Sequence, residues 1–352
     1  MGARFVEDAW YVAAWSDELA AARPLGRMIL DRPVVLFRGT DGTPVALEDR
    51  CIHRRLPLSA GRVRGDAIEC GYHGLMFDAT GRCIKVPGQD LVPPGAQVRS
   101  YPVVERHRCI WIWTGDPGRA DPAAIRDFHW LETPGWAMTK IHFRIACQYQ
   151  LIIDNLLDLS HLAYVHASTV GSPELAERAQ VKTERLPDGV RVSRWTCDVP
   201  PARTYLEFGG YDGNIDRWQI SEFRAPCSFV IDNGSAKAGT GAPEGRPGEQ
   251  RWGFVVCHGI TPETARTTNY FWALAHGFGA DDPAGVAEFH RQSHQVIGED
   301  VAVFEAQQRM IDLDPDAPTI DIGYDAGPLQ ARRLIEQLLA QQRDTARRVV
   351  QV

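Results

Sequence analysis

CIHRRLPLSAGRVRGDAIECGYHGL (51–75) sets a cysteine and a histidine on each of two turn-rich tips: Cys51 with His53, and Cys70 with His73. Its surroundings read as strands. RPVVLFRG (32–39) and TPVALEDR (43–50) make a hairpin about Thr40-Asp41-Gly42, and short extended stretches follow at 67–72, 81–86 and 98–114. Glycine and proline punctuate all of them, so residues 1–120 are expected to form a small all-β domain. After DPGRADP (116–122) the pattern changes. QLIIDNLLDLSHLAYVH (150–166) is too long and too apolar for a half-exposed strand and predicts a helix. Strand-like stretches recur at 189–199, 216–223, 226–232, 252–260 and 267–275, and helical patterning returns at 284–311 and 327–350, the last with a basic outer face. Residues 121–352 therefore predict an α+β domain, an antiparallel sheet flanked by helices. The Gly/Pro-rich run 234–249 reads as a loop; no strand–helix unit frames its GTGAPEG (239–245) as a dinucleotide-binding turn.

A chain of 352 residues is long enough for two cores. A net charge of −7 argues against a general binder of nucleic acid or anionic membrane. With 44% hydrophobic and 24% charged residues the chain is neither disordered nor fibrous. No apolar run approaches the roughly 20 residues of a membrane span. MGARFVEDAWYVAAW (1–15) lacks a signal peptide's basic-then-apolar order, and Val6 stands where N-myristoylation needs Ser or Thr. The expectation is a cytoplasmic protein, whose 8 cysteines are reduced. Clustered cysteines then read as metal ligands and solitary ones as small buried hydrophobes.

Two thiolates and two imidazoles on paired loops allow zinc, coincidence or an iron–sulfur site. Structural zinc pairs usually stand two to four residues apart, and Cys51-x-His53 is tighter than that. In a Rieske [2Fe–2S] centre Cys51 and Cys70 hold one iron while His53 and His73 hold the other, so the close spacing is natural. Pro57 and Gly61 shape the first loop, Gly71 and Gly74 the second. Arg54 and Arg55, next to the first histidine, read either as a solvated face or as a docking point for an acidic electron donor.

A second constellation runs from Asp154 to His166. Asn155, Asp158 and His161 recur at i, i+3, i+6 and share a helical face. His166 lies five residues past His161, about 140° round an ideal helix, so the helix must loosen or end near Tyr164 if both rings face one metal. Two imidazoles and one carboxylate make the facial triad of non-haem Fe(II) oxygenases. Asp158 is one candidate for the carboxylate, yet it is well placed to accept the other ring N–H of His161 instead. GEDVAVFEAQQRM (298–310) offers Glu299, Asp300 and Glu305; Asp300 shares a face with Val296, Ile297, Val303 and Phe304, whereas Glu299 and Glu305 lean toward the polar side.

The two constellations in this order resemble the oxygenase components of Rieske non-haem iron enzymes, within them the vanillate O-demethylase and toluenesulfonate methyl-monooxygenase group. The likeness extends over AWYVAAW (9–15), CIHRRLPLSAG (51–61), CGYHGL (70–75), VPGQ (86–89), SYPVVER (100–106), DNLLDLSHLAYVH (154–166), TGAPEGR (240–246), TPET (261–264) and EDVAVFEAQQ (299–308). It implies Cys51, His53, Cys70 and His73 as cluster ligands and His161, His166 and Asp300 as iron ligands. It also implies Asp158 as a bridge from His161 to the cluster histidine of a neighbouring subunit (here His73), Asn155 as a polar neighbour of the iron, and a homotrimeric ring. The implied activity is hydroxylation or O-demethylation of a methyl- or methoxy-substituted aromatic acid with O2. Electrons come from a separate reductase, with or without a ferredoxin, so NAD(P)H acts only indirectly. Other readings are ring cis-dihydroxylation and a Rieske electron-transfer or redox-sensing protein with no oxygenase activity.

Substrate-pocket candidates rest on position alone. Asn233 and His258, read as strand ends, and Arg291, ahead of Asp300 with His294 on its helix, are offered as partners for a carboxylate or sulfonate. Among the tryptophans, Trp218 and Trp272 lie in segments able to line a pocket.

Overall fold

The computed structural model describes residues 4–245 and 251–350. The chain forms two compact units, Met1–Asp127 with Thr261–Ala265, and Phe128–Ile260 with Arg266–Val352. Nothing in the sequence pattern announces the return of Thr261–Ala265 to the first unit. Thr261 Oγ1 donates to the Val12 carbonyl there, and the Leu30 N–H to the carbonyl of Pro262.

The first unit is all β, in three sheets. One joins β1 (Trp10–Trp15), β11 (Cys109–Trp113) and β10 (Val103–Arg106); a second joins β2 (Leu25–Ile29), β3 (Arg32–Arg38), β4 (Pro44–Glu48) and β9 (Ser100–Tyr101); a third joins β5 (Arg62–Arg64), β6 (Ala67–Glu69), β7 (Met76–Asp78) and β8 (Cys83–Lys85). β1 is buried along its whole length, so it lacks the alternation that marks a half-exposed strand and went unread. β10 and β11 turn through His107 and Arg108, both at positive φ, the conformation of a type I′ hairpin. Phe37, Leu47, Leu58, Ile68 and Phe77 pack into a core that also takes in Cys51 and Cys70.

The second unit is built on a seven-stranded sheet in the order β12 (Ala137–Ile145), β18 (Thr267–His276), β17 (Arg251–Thr264), β16 (Ser228–Lys237), β15 (Ile215–Arg224), β14 (Gly189–Val199) and β13 (Gln180–Leu186). Among the described residues six helices accompany it: α1 (Tyr149–Leu157), α2 (Leu162–Val165), α3 (Pro173–Glu177), α4 (Arg203–Gly209), α5 (Pro283–Leu313) and α6 (Ala326–Val350). The sequence reading passes over β12, β13, α3 and α4. It also mistakes Gly234–Lys237 for loop: β16 runs through them, pairing with both β15 and β17. In the rest of that run, 238–245 is turn with a 3-10 helix at Ala242–Glu244, and 246–249 lies outside the described residues.

The single helix expected over 150–166 is in fact α1, a 3-10 turn at Leu159–His161, and α2. α2 ends at Val165, beside Tyr164 as expected, and a further break that the sequence reading did not foresee falls at Asp158. Asp158 leaves the helical region (φ −118°, ψ 90°) and its carboxylate accepts the Ser160 N–H at 2.9 Å, capping the next turn.

Candidate metal centres

The two loops of the first unit have one backbone design. Cys51 N–H donates to the Leu56 carbonyl and Cys70 N–H to that of Leu75, while Arg55 N–H returns to Cys51 and Gly74 N–H to Cys70. Arg55 (φ 62°) and Gly74 (φ 71°) occupy the equivalent left-handed position. The loops also touch closely: a Cβ on Gly61 would stand 2.0 Å from the Glu69 carbonyl oxygen, so no larger residue fits. Cys51 and Cys70 are buried, and the rings of His53 and His73 are exposed with centroids 4.5 Å apart. Burial pushes the Cys51 thiol pKa up, and the neighbouring Cys70 adds to that. Such a thiol ionises when a metal supplies the positive charge, so the donor set fits an iron–sulfur cluster. Tyr72 stacks on His73 at 3.9 Å.

In the second unit, His161 closes the 3-10 turn that follows Asp158 and His166 stands just past the end of α2, so the two rings are not related by a regular α-helix. One ligand atom each from His161, His166 and Asp300 lie within 4.8 Å of one another. Asp300 Oδ1 is 3.2 Å from His166 Nε2 and 3.5 Å from His161 Nε2. Both rings are fixed from behind. His161 Nδ1 donates to the Asp158 backbone carbonyl at 2.7 Å, and His166 Nδ1 to Glu299 at 2.8 Å, which leaves each Nε2 lone pair pointing inward. The carboxylate of Asp158 is therefore not the partner of His161; its backbone is. Glu299, expected on the polar side of α5, orients His166 instead.

Asp300 is buried beside Ile297 and Phe304, and no lysine or arginine among the described residues pairs with it. A buried carboxylate facing two imidazoles asks for a cation, and this set of two nitrogens and one oxygen fits non-haem iron. Asn155 stands beside it, its Nδ2 3.5 Å from both His161 Nε2 and Asp300 Oδ1, while its buried Oδ1 has no partner. Burial lowers the pKa of His161. For His166 burial acts the same way, but Asp300 and Glu299 outweigh it and raise the pKa.

A cavity of about 790 Å³, measured to its open mouth, has this triad in its wall. Its floor is one face of the sheet. Arg217 and Gln219 of β15, Ile231 and Asn233 of β16, and Phe254, Val256 and His258 of β17 alternate with residues of the other face. Asn233 and His258 line the cavity, from the middle of their strands and not from the ends. Burial drives the His258 pKa down to about 3, so the ring is neutral; its Nδ1 shares a 2.6 Å hydrogen bond with the Tyr270 hydroxyl and its buried Nε2 has no partner. Trp272 also lines the cavity. Trp218 does not: it faces the other side of the sheet and lies on Gly234, where a Cβ would come within 2.0 Å of the indole. Arg291 is likewise no part of the cavity; it is exposed and ion-paired with Glu288 at 2.6 Å, one helical turn away. His294 instead meets the Thr139 hydroxyl at 2.8 Å. The sequence reading overlooked Arg217 and Gln219, whose polar side chains in a strand carried no spacing signal.

Residues 9–102 match the Rieske [2Fe-2S] domain family, and residues 145–341 the vanillate O-demethylase oxygenase C-terminal domain. The chain is 40% identical over 338 residues to the toluene-4-sulfonate monooxygenase system iron-sulfur subunit of Comamonas testosteroni, covering 95% of this chain and 97% of that one. It is 40% identical over 347 residues to the vanillate O-demethylase oxygenase subunit of a Pseudomonas species, covering 97% of each. Among solved structures, dicamba monooxygenase bound to 3,6-dichlorosalicylic acid matches with a TM-score of 0.88 at 33% identity, over 96% of this chain and 98% of that one. A structure of the same enzyme with non-heme iron and dicamba matches with a TM-score of 0.80. Two iron centres, one in each unit, together with this descent place the chain in the Rieske non-haem iron oxygenases, as an oxygenase component of the vanillate O-demethylase group.

Proposed function

We propose that this oxygenase acts on an anionic aromatic carrying a methoxy or methyl group, inserting one atom of O2 into its C–H bond. The other atom leaves as water, with two electrons drawn through a separate reductase. A methoxy substrate then yields a hemiacetal that collapses to a phenol and formaldehyde; an aryl methyl yields a benzylic alcohol. The observation that carries the reading is the mostly apolar cavity with His161, His166 and Asp300 in its wall and polar Asn233 on its floor.

In this reading Cys51, His53, Cys70 and His73 hold the cluster, and His161, His166 and Asp300 hold the iron. Bound there, the cluster supplies an electron and the iron supplies O2 activation. The chain's own residues do the rest. Glu299 and the Asp158 carbonyl keep the Nδ1 protons of the two imidazoles, so that each Nε2 is free to bind. Leu156, Leu159, Leu162 and Ile297 exclude water from the space beside them. Asn155 offers its amide beside the iron ligands. The neutral His258 presents Nε2 to the cavity while Tyr270 fixes its ring. The working assembly is read as a ring of three, with Asp158 bridging to the cluster histidine His73 of the partner subunit. That reading rests on the family likeness and on a carboxylate whose hydrogen bond within the chain, to Ser160, uses Oδ1 alone. No disulfide links the eight cysteines, in keeping with a cytoplasmic setting, and no helix among the described residues is long and apolar enough to cross a membrane.

The test is a product screen with a surrogate reductase over methoxy- and methyl-substituted benzoates and benzenesulfonates. Formaldehyde or a benzylic alcohol is expected; a cis-diol would overturn the assignment. Iron and sulfide analysis is expected to give about three irons per chain. His161→Ala should remove the mononuclear iron and leave the cluster's absorption intact, whereas an electron-transfer protein would hold two irons before and after the substitution.

A further inference from the structure

Arg217 sits in the middle of β15, 3% exposed, on the cavity face of the sheet. Buried arginines are ordinarily paired with a carboxylate, since a buried cation left without one is strongly destabilising. Arg217 has no such partner among the described residues. Its hydrogen bond runs from Nη1 to the Val170 carbonyl at 2.7 Å, its guanidinium lies 4.1 Å from the Tyr205 ring centroid, and its buried Nε has no partner. Burial depresses its pKa; the Tyr205 side chain acts against that, and no carboxylate does. The other deeply buried arginine of this unit, Arg194, lies outside the cavity and feels the charge of Asp158.

The neighbours of Arg217 extend the pattern. Gln219 follows it on the same face, and Asn233 is the cross-strand partner of Gln219. This polar corner is far from His258. The register partners of Arg217 and His258 on β16 are Ser235 and Phe229, six residues and so roughly 20 Å of strand apart. The cavity floor therefore has two polar ends: His258 with Tyr270 at one, and a fixed cation with two amides at the other.

We infer that Arg217, aided by Gln219 and Asn233, binds the oxyanion of the substrate, a carboxylate or a sulfonate, and so selects anionic aromatics over neutral ones. The Tyr205 ring and the Val170 carbonyl hold the guanidinium plane before substrate arrives, which suits a planar fork to a two-oxygen acceptor. The inference rests on the aromatic-substrate reading above and deepens it by naming the group that recognises the charge.

The experiment compares wild type, Arg217→Met and Arg217→Lys, each as holoprotein. Calorimetric dissociation constants are measured for 4-methylbenzenesulfonate and 4-methoxybenzoate against their neutral amides, 4-methylbenzenesulfonamide and 4-methoxybenzamide; KM is measured alongside. Loss of a charge-assisted, desolvated pair is expected to cut the preference for anion over amide about 30- to 300-fold in Arg217→Met, with Arg217→Lys recovering part of it. The wild-type arm that binds tighter tells sulfonate from carboxylate. A preference that stays within threefold of wild type overturns the inference, as does equal weakening of anion and amide together with a lowered melting temperature, the mark of a structural arginine. Anion binding that depends on Arg217 without any product would uphold this site and sink the demethylation reading; a wild type that binds no anion sinks the site.

Discussion

Glu299 is set to matter out of proportion to its place on the helix. Its Oε2 takes the His166 Nδ1 proton at 2.8 Å and its Oε1 takes a hydrogen bond from Gln295. A histidine that binds metal through Nε2 depends on the group behind it to fix its tautomer and ring plane, and loss of such a group typically costs about 10–100-fold in metal affinity. Glu299→Gln is expected to weaken Fe(II) binding by about tenfold or more, read by titrating iron back into metal-depleted protein, with the cluster's visible spectrum unaltered. Unweakened iron binding would show that Asp300 and the fold alone hold His166 in place. The sequence offered Glu299, Asp300 and Glu305 together. Burial beside Ile297 and Phe304 singles out Asp300 from helical periodicity, but the role of Glu299 depends on a ring 133 residues away in the chain and leaves no periodic trace. Arg217 was illegible for the same reason: one polar residue inside a strand says nothing until its neighbours are known.

The break at Asp158 is the element on which the second centre turns. α1 is buried through Leu151, Ile152, Ile153, Leu156 and Leu157, so its apolar run carries on past its end, and a reading by hydrophobicity extends the helix too far. What stops it is a capping aspartate, a recognisable signal for the start of a turn that was outweighed by the leucines around it. The cap and the proposed bridge would share one side chain, and two substitutions separate them. Asn caps nearly as well as Asp, so Asp158→Asn should fold and hold iron as wild type does, whereas Asp158→Ala should lose about 1 kcal/mol of stability with the cap. If the carboxylate bridges to a neighbouring subunit, both variants lose most of their turnover; full activity in Asp158→Asn would end the inter-subunit route and leave Asp158 a cap. The other elements divide on similar lines. α5 and α6 and the alternating strands were readable from their periods. β1 was not, being buried along its whole length, and β16 was cut short because Gly234, which reads as loop, is there to seat Trp218.

For the molecule as a whole, its buried histidines set the direction in which acid acts. His258 titrates at about 3 and His290 at about 4, both chiefly through burial, and burial also lowers His161, His276 and His294. In the unfolded chain each would take up a proton near pH 6.5. Below that pH the unfolded state binds more protons than the folded one, so the stability these groups contribute is complete above about 6.5 and drains away as pH falls toward their folded values. His166, with its raised pKa, works the other way until iron holds it neutral. The fully buried His258 alone should contribute about 1.2 kcal/mol per pH unit near pH 5.5, where an unfolded histidine is about nine-tenths protonated. Urea midpoints taken at pH 7.5 and 5.5 on the metal-loaded protein should therefore fall with acidification, and His258→Gln should flatten that fall by about 1 kcal/mol per pH unit. An identical slope in the variant would mean that His258 ionises in place, which its closed surroundings and its single bond to Tyr270 argue against. With the His258 ring neutral through the working range, the cation on the cavity floor that meets an anionic aromatic is Arg217, and His258 can serve only as a neutral hydrogen-bonding group.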